Sequence, residues 1–275
     1  MRLIALLIAA LIASLATTAH VQERTPSHCI ALAHAAPGLE YIQPVAFRDP
    51  VADETVRISY VDHAMFLIQT TGGLSAMTDF TGWFGNVDFL PDIITMNNAH
   101  GTHWTRSPDP AIPHVLQGWP ENGARAFLEL DLGEMLVRNV TTDIRGGGGT
   151  IPDGNSIFVF EVAGLCIGHL GHLHHEPTPE QYAALGRMDV VMAAVDGGLT
   201  VDLPTMIRVL TRLRSSIVIP MHWFGRGTLE AFLTGMEGDF DIVRSGESSL
   251  TVARGDLPSR PTVYVLDPAM LREAE

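Results

Sequence analysis

The sequence contains no lysine, so arginine supplies all 17 of its fixed positive charges against 31 acidic residues. The formal net charge of -14 argues against nucleic acid as a partner, because binding nucleic acid requires a basic surface. It does not exclude an anionic substrate, since a metal ion can create a local positive site in an acidic protein. The glycine run at residues 146–149 lacks the lysine and the spacing of a phosphate-binding loop, so we interpret it as a flexible loop.

Long apolar runs are also scarce, and the one exception lies at the start of the chain. Residues 3–16 are almost entirely apolar, follow Arg2, and precede the small residues 17–19. This pattern predicts a secretory signal peptide over residues 1–19, with an uncleaved anchor as the alternative. We therefore expect a periplasmic or secreted protein with no stable membrane span once the signal is removed.

The chain has only two cysteines, Cys29 and Cys166. Export to an oxidising compartment would allow them to form a disulfide. Cys166 lies in an apolar run, however, and an inert buried thiol is an equally good interpretation. The sequence leaves these two alternatives open.

The length of 275 residues and the hydrophobic content of 46% support one domain or at most two. Residues 20–53 lack clear periodicity and are interpreted as a lead-in, whereas residues 54–275 are interpreted as a single domain. That domain opens with three short predicted strands joined by tight turns and continues with strand-helix-strand units. His63 lies between the first two strands, and we interpret it as a loop histidine that caps or packs.

Polar side chains that can bind metal or transfer protons follow several of the predicted strands. These residues are Asn98, His100, His103, Asp143, His172, Asp196 and His222. Strand ends are favourable positions for chemistry, because the strand fixes the backbone while the loop frees the side chain. Histidine nitrogens and carboxylate oxygens are the ligands of zinc-type sites, and catalytic sites keep one position open for water. The pattern therefore predicts a divalent metal ion, with zinc as the expected metal.

Four short sequence motifs occur in a characteristic order along the chain. The last of them is the end of a predicted strand followed by a histidine. They are residues 60–68 (YVDHAMFLI), 77–79 (MTD), 169–172 (HLGH) and 219–222 (IPMH). They resemble the Y-x-G-H-A-x-F-x-I, L-T-D-P, H-L-G-D and I-P-M-H motifs of the metallo-β-lactamase fold superfamily. Within it, the closest resemblance is to the branch of ascorbate-phosphate lactonases and N-acyl-phosphatidylethanolamine phospholipases. The resemblance implies an α/β fold, a four-layer αββα sandwich of two mixed β-sheets flanked by helices.

The metal motif departs from the family's pattern at three positions. The family's H-x-H-x-D-H segment corresponds to residues 98–103, with Asn98 in place of the first histidine and Thr102 in place of the aspartate. The family's bridging aspartate corresponds to His172. Loss of that carboxylate removes the group that holds two cations about 3.5–4 Å apart, so we expect one ion rather than two.

The resemblance also implies which residues share the metal site. His103, His172 and His222 would form one three-imidazole set with an open position for water. Asn98, His100 and Asp143 would form a weaker second set or a hydrogen-bonding wall. We further expect Asp143 or Asp196 to accept a proton or to orient an imidazole, because a ligating histidine usually donates its other N–H to such a group.

The implied function is an exported metal-dependent hydrolase in which metal-bound hydroxide attacks a phosphoester, lactone or amide-type bond. Aromatic residues in the loops, among them Trp83, Phe84, Trp104 and Trp223, are compatible with a small-molecule or amphiphilic organic substrate. A first alternative is a catalytically impaired member of the fold that binds metal or another ligand without turnover. A second is a structural domain whose histidines serve packing only.

Overall fold

The computed structural model describes residues 27–31 and 46–273 of the chain. The predicted signal peptide and most of the lead-in lie outside these described residues. Two β-sheets form the centre of the described structure, as the resemblance implied. None of the helices in the described ranges is long and apolar enough to cross a membrane.

The first sheet has six strands and the second has eight. In spatial order the first contains β13 (Ser249–Ala253), β1 (Thr55–Asp62), β2 (Met65–Thr70), β3 (Ser75–Met77), β4 (Ile93–Met96) and β5 (His114–Gln117). The second contains β12 (Asp241–Arg244), β14 (Thr262–Val265), β11 (Ile217–Met221), β10 (Val190–Ala194), β9 (Leu165–His169), β8 (Gly149–Val162), β7 (Met135–Gly146) and β6 (Glu129–Asp131).

Helices occupy a smaller part of the described structure. They are α1 (His28–Ala31), α2 (Pro179–Leu185), α3 (Leu203–Leu213) and α4 (Arg226–Met236), with a short 3-10 turn at Arg254–Asp256. Helix α2 begins as its sequence predicts, with the Thr178 side chain accepting a hydrogen bond from the Gln181 amide and Pro179 in the first turn.

Both sheets are mixed, and this determines where their strands end. Strands β3, β4 and β5 run parallel to one another, as do β9, β10, β11 and β14. The carboxyl ends of neighbouring parallel strands meet at one edge of a sheet, which is where α/β folds bind ligands. We therefore expect the functional residues of this chain at those edges.

The main core lies between the sheets, where side chains such as Ile58 and Phe66 pack with Phe158 and Phe160. Alternate residues of the central strands face the other way, so that Val159 and its neighbours pack beneath helices α2, α3 and α4. In the described part of the chain, the outer face of the first sheet is covered by loops that carry Phe47, Phe80 and Phe84. The two-sheet sandwich is confirmed, with its described helices concentrated on the eight-stranded sheet.

At three segments the structure departs from what the local sequence suggests. Residues 124–132 have the composition of a strand, but only Glu129–Asp131 forms one. The glycine run is the tight end of the β7–β8 hairpin, where Gly146 pairs with Gly149. His114 follows a proline-rich segment that suggests a loop, but it begins edge strand β5, which pairs with β4. The prolines before His114 make a strand difficult to predict there, because proline is disfavoured inside sheets. Proline is nevertheless compatible with the start of an edge strand, which is what β5 is.

Cys29 and Cys166 form a disulfide, which decides between the two alternatives that the sequence left open. The bond ties α1 to β9, the strand that leads into the His169–His172 segment. The same attachment is reinforced by Glu161, whose carboxylate accepts hydrogen bonds from the Ser27 hydroxyl and from Arg138. The N-terminal segment is thus fixed to the eight-stranded sheet by a covalent bond and by polar contacts.

We expect the Cys29→Ser/Cys166→Ser double variant to lose about 2–5 kcal/mol of unfolding free energy, the usual contribution of a native disulfide. The loop that the bond closes spans 137 residues, which places the entropic contribution towards the upper end of that range. Urea denaturation followed by circular dichroism measures the effect. Wild-type protein in reductant should approach the variant, and an unchanged urea midpoint in the variant would contradict the prediction.

Candidate metal centre

The edge formed by the parallel strand ends carries the polar residues of the candidate site. Its members follow β3, β4, β9, β10 and β11 and are Asp79, Asn97, His103, His169, His172, Asp196 and His222. His63 joins them from the β1–β2 turn. The sheet topology thereby gathers side chains that are distant in sequence.

Five imidazole rings, those of His63, His100, His103, His172 and His222, form what we call the histidine cluster. The ring of His63 lies 4.0 Å from that of His222 and 5.2 Å from that of His103. The ring of His172 lies 4.6 Å from that of His103 and 5.5 Å from that of His100. Two sets have ligand nitrogens within 4.8 Å of one another: His63, His103 and His222 in one, and His100, His103 and His172 in the other.

His103 is held by a buried carboxylate. Its Nδ1 lies 2.6 Å from Asp79 Oδ2. The other oxygen of this carboxylate, Asp79 Oδ1, accepts a hydrogen bond from the backbone N–H of Asn97. Burial acts to raise the pKa of Asp79, but the adjacent His103 outweighs that effect and lowers it. Because the carboxylate is an acceptor, His103 donates Nδ1–H to Asp79, and Nε2 is the ring nitrogen that remains available. That Nε2 atom is buried and has no hydrogen-bond partner among the described residues.

His222 has the same arrangement with a different carboxylate. Its Nδ1 lies 2.9 Å from Asp196 Oδ2, which also accepts a hydrogen bond from the Thr200 hydroxyl. Asp196 Oδ1 accepts the backbone N–H groups of Gly198, Leu199 and Thr200. Burial acts to raise the pKa of Asp196, but the hydrogen bonds from His222 and these donors hold it far below its usual value. Nε2 of His222 is thereby left for the histidine cluster.

His63 is the residue whose role the sequence interpretation missed. Its backbone oxygen accepts hydrogen bonds from the Tyr60 hydroxyl and the His222 amide, so the β1–β2 turn is fixed against β11. Its Nε2 is buried and has no hydrogen-bond partner in the described part of the chain. Burial, together with the nearby His222 and His103 rings, lowers the pKa of His63 to about 4, which keeps the ring neutral. A neutral, unpartnered imidazole beside two others is a candidate ligand.

The backbone at three of these positions is strained. His63, Asp79 and His222 have φ values of 47°, 45° and 60°, in the left-handed region that non-glycine residues seldom adopt. Such conformations cost on the order of 1–3 kcal/mol each and persist where the surroundings impose them. Their concentration in one cluster points to a functional site.

His172 is held by another histidine. Its Nδ1 lies 2.6 Å from His174 Nε2, and His174 Nδ1 accepts the backbone N–H of Arg145. Burial is the main cause that lowers the pKa of His172, to about 3, and that of His174, to about 4. Both rings are therefore neutral in this structure.

The structure distributes the histidines predicted from the sequence between the two ligand sets. The implied set of His103, His172 and His222 is divided, because His222 groups with His63 whereas His172 groups with His100. His100 is exposed, and its Nδ1 lies 3.2 Å from the Thr102 hydroxyl.

Two other predicted residues have partners elsewhere. Asp143 accepts a hydrogen bond from the Asp153 amide across the β7–β8 hairpin, and none of the contacts among the described residues joins it to a ring of the histidine cluster. Asn98 contributes a backbone carbonyl that accepts the His100 amide. Asp196 lies where a residue that orients an imidazole should lie.

Asn97 and His169 form the support beneath the site. The Asn97 side chain donates to the Ser156 carbonyl and lies 3.1 Å from His169 Nδ1. His169 Nε2 lies 2.7 Å from the carbonyl oxygen of Ala64, to which it can donate. Both nitrogens of this fully buried ring thus have protein partners, and His169 is a structural histidine.

The donor set fits one divalent cation. The orphaned Nε2 atoms of His63 and His103 are buried lone-pair donors, and three neutral imidazoles with an open position are a known zinc-binding set. His103 belongs to both sets but has only Nε2 available, because Asp79 occupies Nδ1. The two sets therefore compete for one atom and favour one ion at a time. A third group, His28, Cys29 and Cys166, has its sulfurs in the disulfide.

Comparison with known proteins gives a consistent result. The family model described as a beta-lactamase superfamily domain matches residues 57–222. A candidate Zn-dependent hydrolase of the metallo-β-lactamase superfamily from Thermotoga maritima is similar at 22% identity with a TM-score of 0.55, over 77% of this chain and 98% of that one. A novel metallo hydrolase from Ignicoccus hospitalis is similar at 14% identity with a TM-score of 0.51, over 72% and 98%.

A candidate metal-dependent hydrolase from Parabacteroides distasonis is also similar, at 16% identity with a TM-score of 0.51, over 72% of this chain and 94% of that one. A search of curated proteins finds no significant match. At these identities the solved structures support the fold. The lactonase-like and phospholipase-like branch suggested by the sequence motifs stays a prediction.

Proposed function

Because the chain belongs to the beta-lactamase superfamily, we propose that it is a metal-dependent hydrolase whose centre is formed by His63, His103 and His222. The observation that carries this proposal is the pair of buried, unpartnered Nε2 atoms of His63 and His103 beside His222. A bound divalent cation, with zinc as our choice for an all-imidazole set, supplies a Lewis acid and lowers the pKa of water to about 7.

The two carboxylates of the site act through the histidines. Asp79 and Asp196 each accept an Nδ1–H and so hold His103 and His222 with Nε2 facing the cluster. Such partners also raise the basicity of the ligand nitrogen. Since Oδ1 and Oδ2 of both aspartates already accept hydrogen bonds, these residues are positioning residues.

An apolar rim lies next to the histidine cluster. The Phe224 ring is 67% exposed, and its centroid lies 5.4 Å from His63 and 5.2 Å from His222. Leu199, 59% exposed, belongs to the loop that Asp196 organises. Exposed apolar groups beside a polar centre favour a small or amphiphilic organic substrate that presents a phosphoester, lactone or amide-type bond.

We also propose that the hydrolase is exported and acts in the periplasm or outside the cell. The Cys29–Cys166 disulfide supports this, because disulfides persist in oxidising compartments and are rare in the cytosol.

Hydrolysis of chromogenic phosphodiesters, lactones and esters, assayed with zinc, manganese and iron, tests the proposed activity. We expect turnover of at least one class, loss of that turnover on chelation, and recovery on addition of metal. His222→Ala should lose the activity, whereas His175→Ala, a change to an exposed histidine outside the cluster, should retain it. Turnover that chelation leaves unchanged would contradict the proposal.

A second candidate function is metal binding without turnover. The observation that favours it is Thr102, which stands where the family has an acidic residue and whose hydroxyl contacts His100. Neither Asp79 nor Asp196 is free to replace a missing base. A stoichiometric bound metal ion together with no turnover across the panel would support this function over hydrolysis.

A further inference from the structure

We infer that His172 presents an N–H donor to the reacting oxygen of the substrate and is not a metal ligand, because His174 fixes its tautomer. The substrate part of this inference rests on the proposed function. The tautomer and the metal-binding behaviour of His172 do not. The residue therefore has a different role from the other buried rings of the histidine cluster.

The backbone of Arg145 determines which nitrogen of His174 carries a proton. A backbone N–H can only donate, and that of Arg145 lies 2.6 Å from His174 Nδ1. His174 Nδ1 must therefore be an acceptor without a proton. The Arg145 backbone is held in place by its own guanidinium, which donates to the carbonyls of Gly198, Leu199 and Thr200.

The tautomer of His174 in turn determines the tautomer of His172. A neutral imidazole has one proton, so His174 carries it on Nε2, which lies 2.6 Å from His172 Nδ1. His172 Nδ1 must accept that hydrogen bond, and the proton of His172 then resides on Nε2. The ring cannot turn away easily, since it is buried and its backbone amide donates to Asn155 Oδ1.

The opposite arrangement holds for His103 and His222. Each of them donates Nδ1–H to a carboxylate and keeps the Nε2 lone pair that a cation requires. The partner that the structure describes at His172 Nδ1 is the N–H of His174 and not a carboxylate, so the Nε2 of His172 is a donor. The cluster thus combines two rings that keep a free lone pair, His103 and His222, with one ring that has an N–H, His172. The His172 ring lies 4.6 Å from that of His103 and 5.6 Å from that of His222.

An N–H donor at this place suits an oxygen that gains negative charge. When water attacks a carbonyl or phosphoryl centre, the electron pair of the attacked double bond moves to that oxygen. His172 Nε2–H can donate a hydrogen bond to this oxygen and keep its proton. Removal of one such preorganised donor costs on the order of 10²–10³-fold in kcat.

Three substitutions separate this arrangement from its alternatives. His174→Gln preserves it, because the glutamine oxygen can accept the Arg145 N–H while its amide N–H donates to His172 Nδ1. His174→Glu reverses it, because a carboxylate accepts a hydrogen bond from His172 Nδ1–H and so leaves a lone pair on Nε2. His175→Glu adds the same charge at an exposed neighbouring position and serves as the control.

Long-range ¹H–¹⁵N spectra of the full chain with labelled histidine, recorded without metal, report the tautomer directly. We expect Nε2–H for His172 in the wild type, in His174→Gln and in His175→Glu, and Nδ1–H in His174→Glu. Zinc titration by calorimetry should give His172→Ala the wild-type affinity, and tighter binding for His174→Glu than for His175→Glu. Nδ1–H in the wild type, or loss of zinc binding in His172→Ala, would overturn the inference.

Steady-state kinetics test the substrate part. In zinc-loaded His172→Ala we expect kcat to fall by about 10²–10³-fold with KM little changed, because the donor acts on charge that develops in the transition state. Unchanged kcat would overturn the proposed donor role. A wild-type protein without turnover overturns the proposed function and this role together, while the spectra and the zinc titration still decide the tautomer.

Discussion

The His103→Ala variant is expected to bind no zinc at concentrations that saturate the wild-type protein. His103 is the only residue common to both ligand sets of the histidine cluster, and Asp79 leaves it a single free nitrogen. Its removal therefore disables both sets at once. Loss of a ligand should exceed the roughly 10–100-fold loss in affinity that follows loss of a partner behind a ligand. Elemental analysis after dialysis against a known free zinc concentration measures the effect.

The alanine also leaves Asp79 as a buried carboxylate without its imidazole, which can cost about 3–5 kcal/mol of stability. His103→Asn avoids this, because its side-chain N–H₂ can still donate to Asp79 while the Nε2 position is absent. If His103→Asn loses zinc but keeps a near-native thermal midpoint, the defect lies in the ligand and not in the fold. Retention of one zinc ion per chain by this folded variant would contradict the assignment of His103.

Much of the candidate site lies at strand ends, where a local sequence pattern can be detected. A buried apolar strand followed by a polar residue is such a pattern, and it selects His103, His172, Asp196 and His222, which the structure brings close together. Their convergence follows from topology, since parallel neighbours end at a common edge. The pairing of Asp196 with His222 illustrates this, because β10 and β11 deliver the two residues side by side.

His63 and Asp79 escaped the same reasoning for physical reasons. His63 lies in a turn between antiparallel strands, a position that is usually solvated, and the packing of that turn against β11 leaves the residue half-buried with its Nε2 covered. Asp79 follows the three-residue strand β3, where a single carboxylate is a weak signal. Both occupy left-handed backbone, which a sequence pattern does not reveal. Their presence in the quoted motifs, YVDHAMFLI and MTD, was the available clue.

Side-chain direction limits how closely a local pattern can locate site residues, as Asn98 and Asp143 illustrate. Successive residues at the end of a strand point to opposite faces, so a shift of one residue from Asn98 to Asn97 exchanges the groups that reach the site. Asn97 is the residue whose side chain contacts His169. At Asp143 the β7–β8 register shifts between Thr142 and Ile144, and such irregularities redirect side chains. Local pattern therefore finds the right segments more easily than the right residues within them.

The Asp196→Asn substitution is expected to weaken zinc binding by about 10–100-fold while leaving the fold nearly unchanged. The two oxygens of Asp196 have different partners: Oδ1 accepts three backbone N–H groups, and Oδ2 accepts His222 Nδ1–H and the Thr200 hydroxyl. In asparagine the remaining oxygen must take the Oδ1 position, because an N–H₂ group there would face three donors. The amide N–H₂ then faces His222 Nδ1.

His222 must respond by changing its tautomer. Its Nδ1 becomes an acceptor, its proton moves to Nε2, and the lone pair that a cation requires is lost, although the ring stays in place. Asp202→Asn is the matched control, since Asp202 caps α3 through the Thr205 amide and asparagine caps equally well. Zinc titration of both variants, with the His222 tautomer read from ¹⁵N spectra, gives the test. Wild-type zinc affinity in a folded Asp196→Asn variant would mean that the carboxylate does not select the ligating nitrogen.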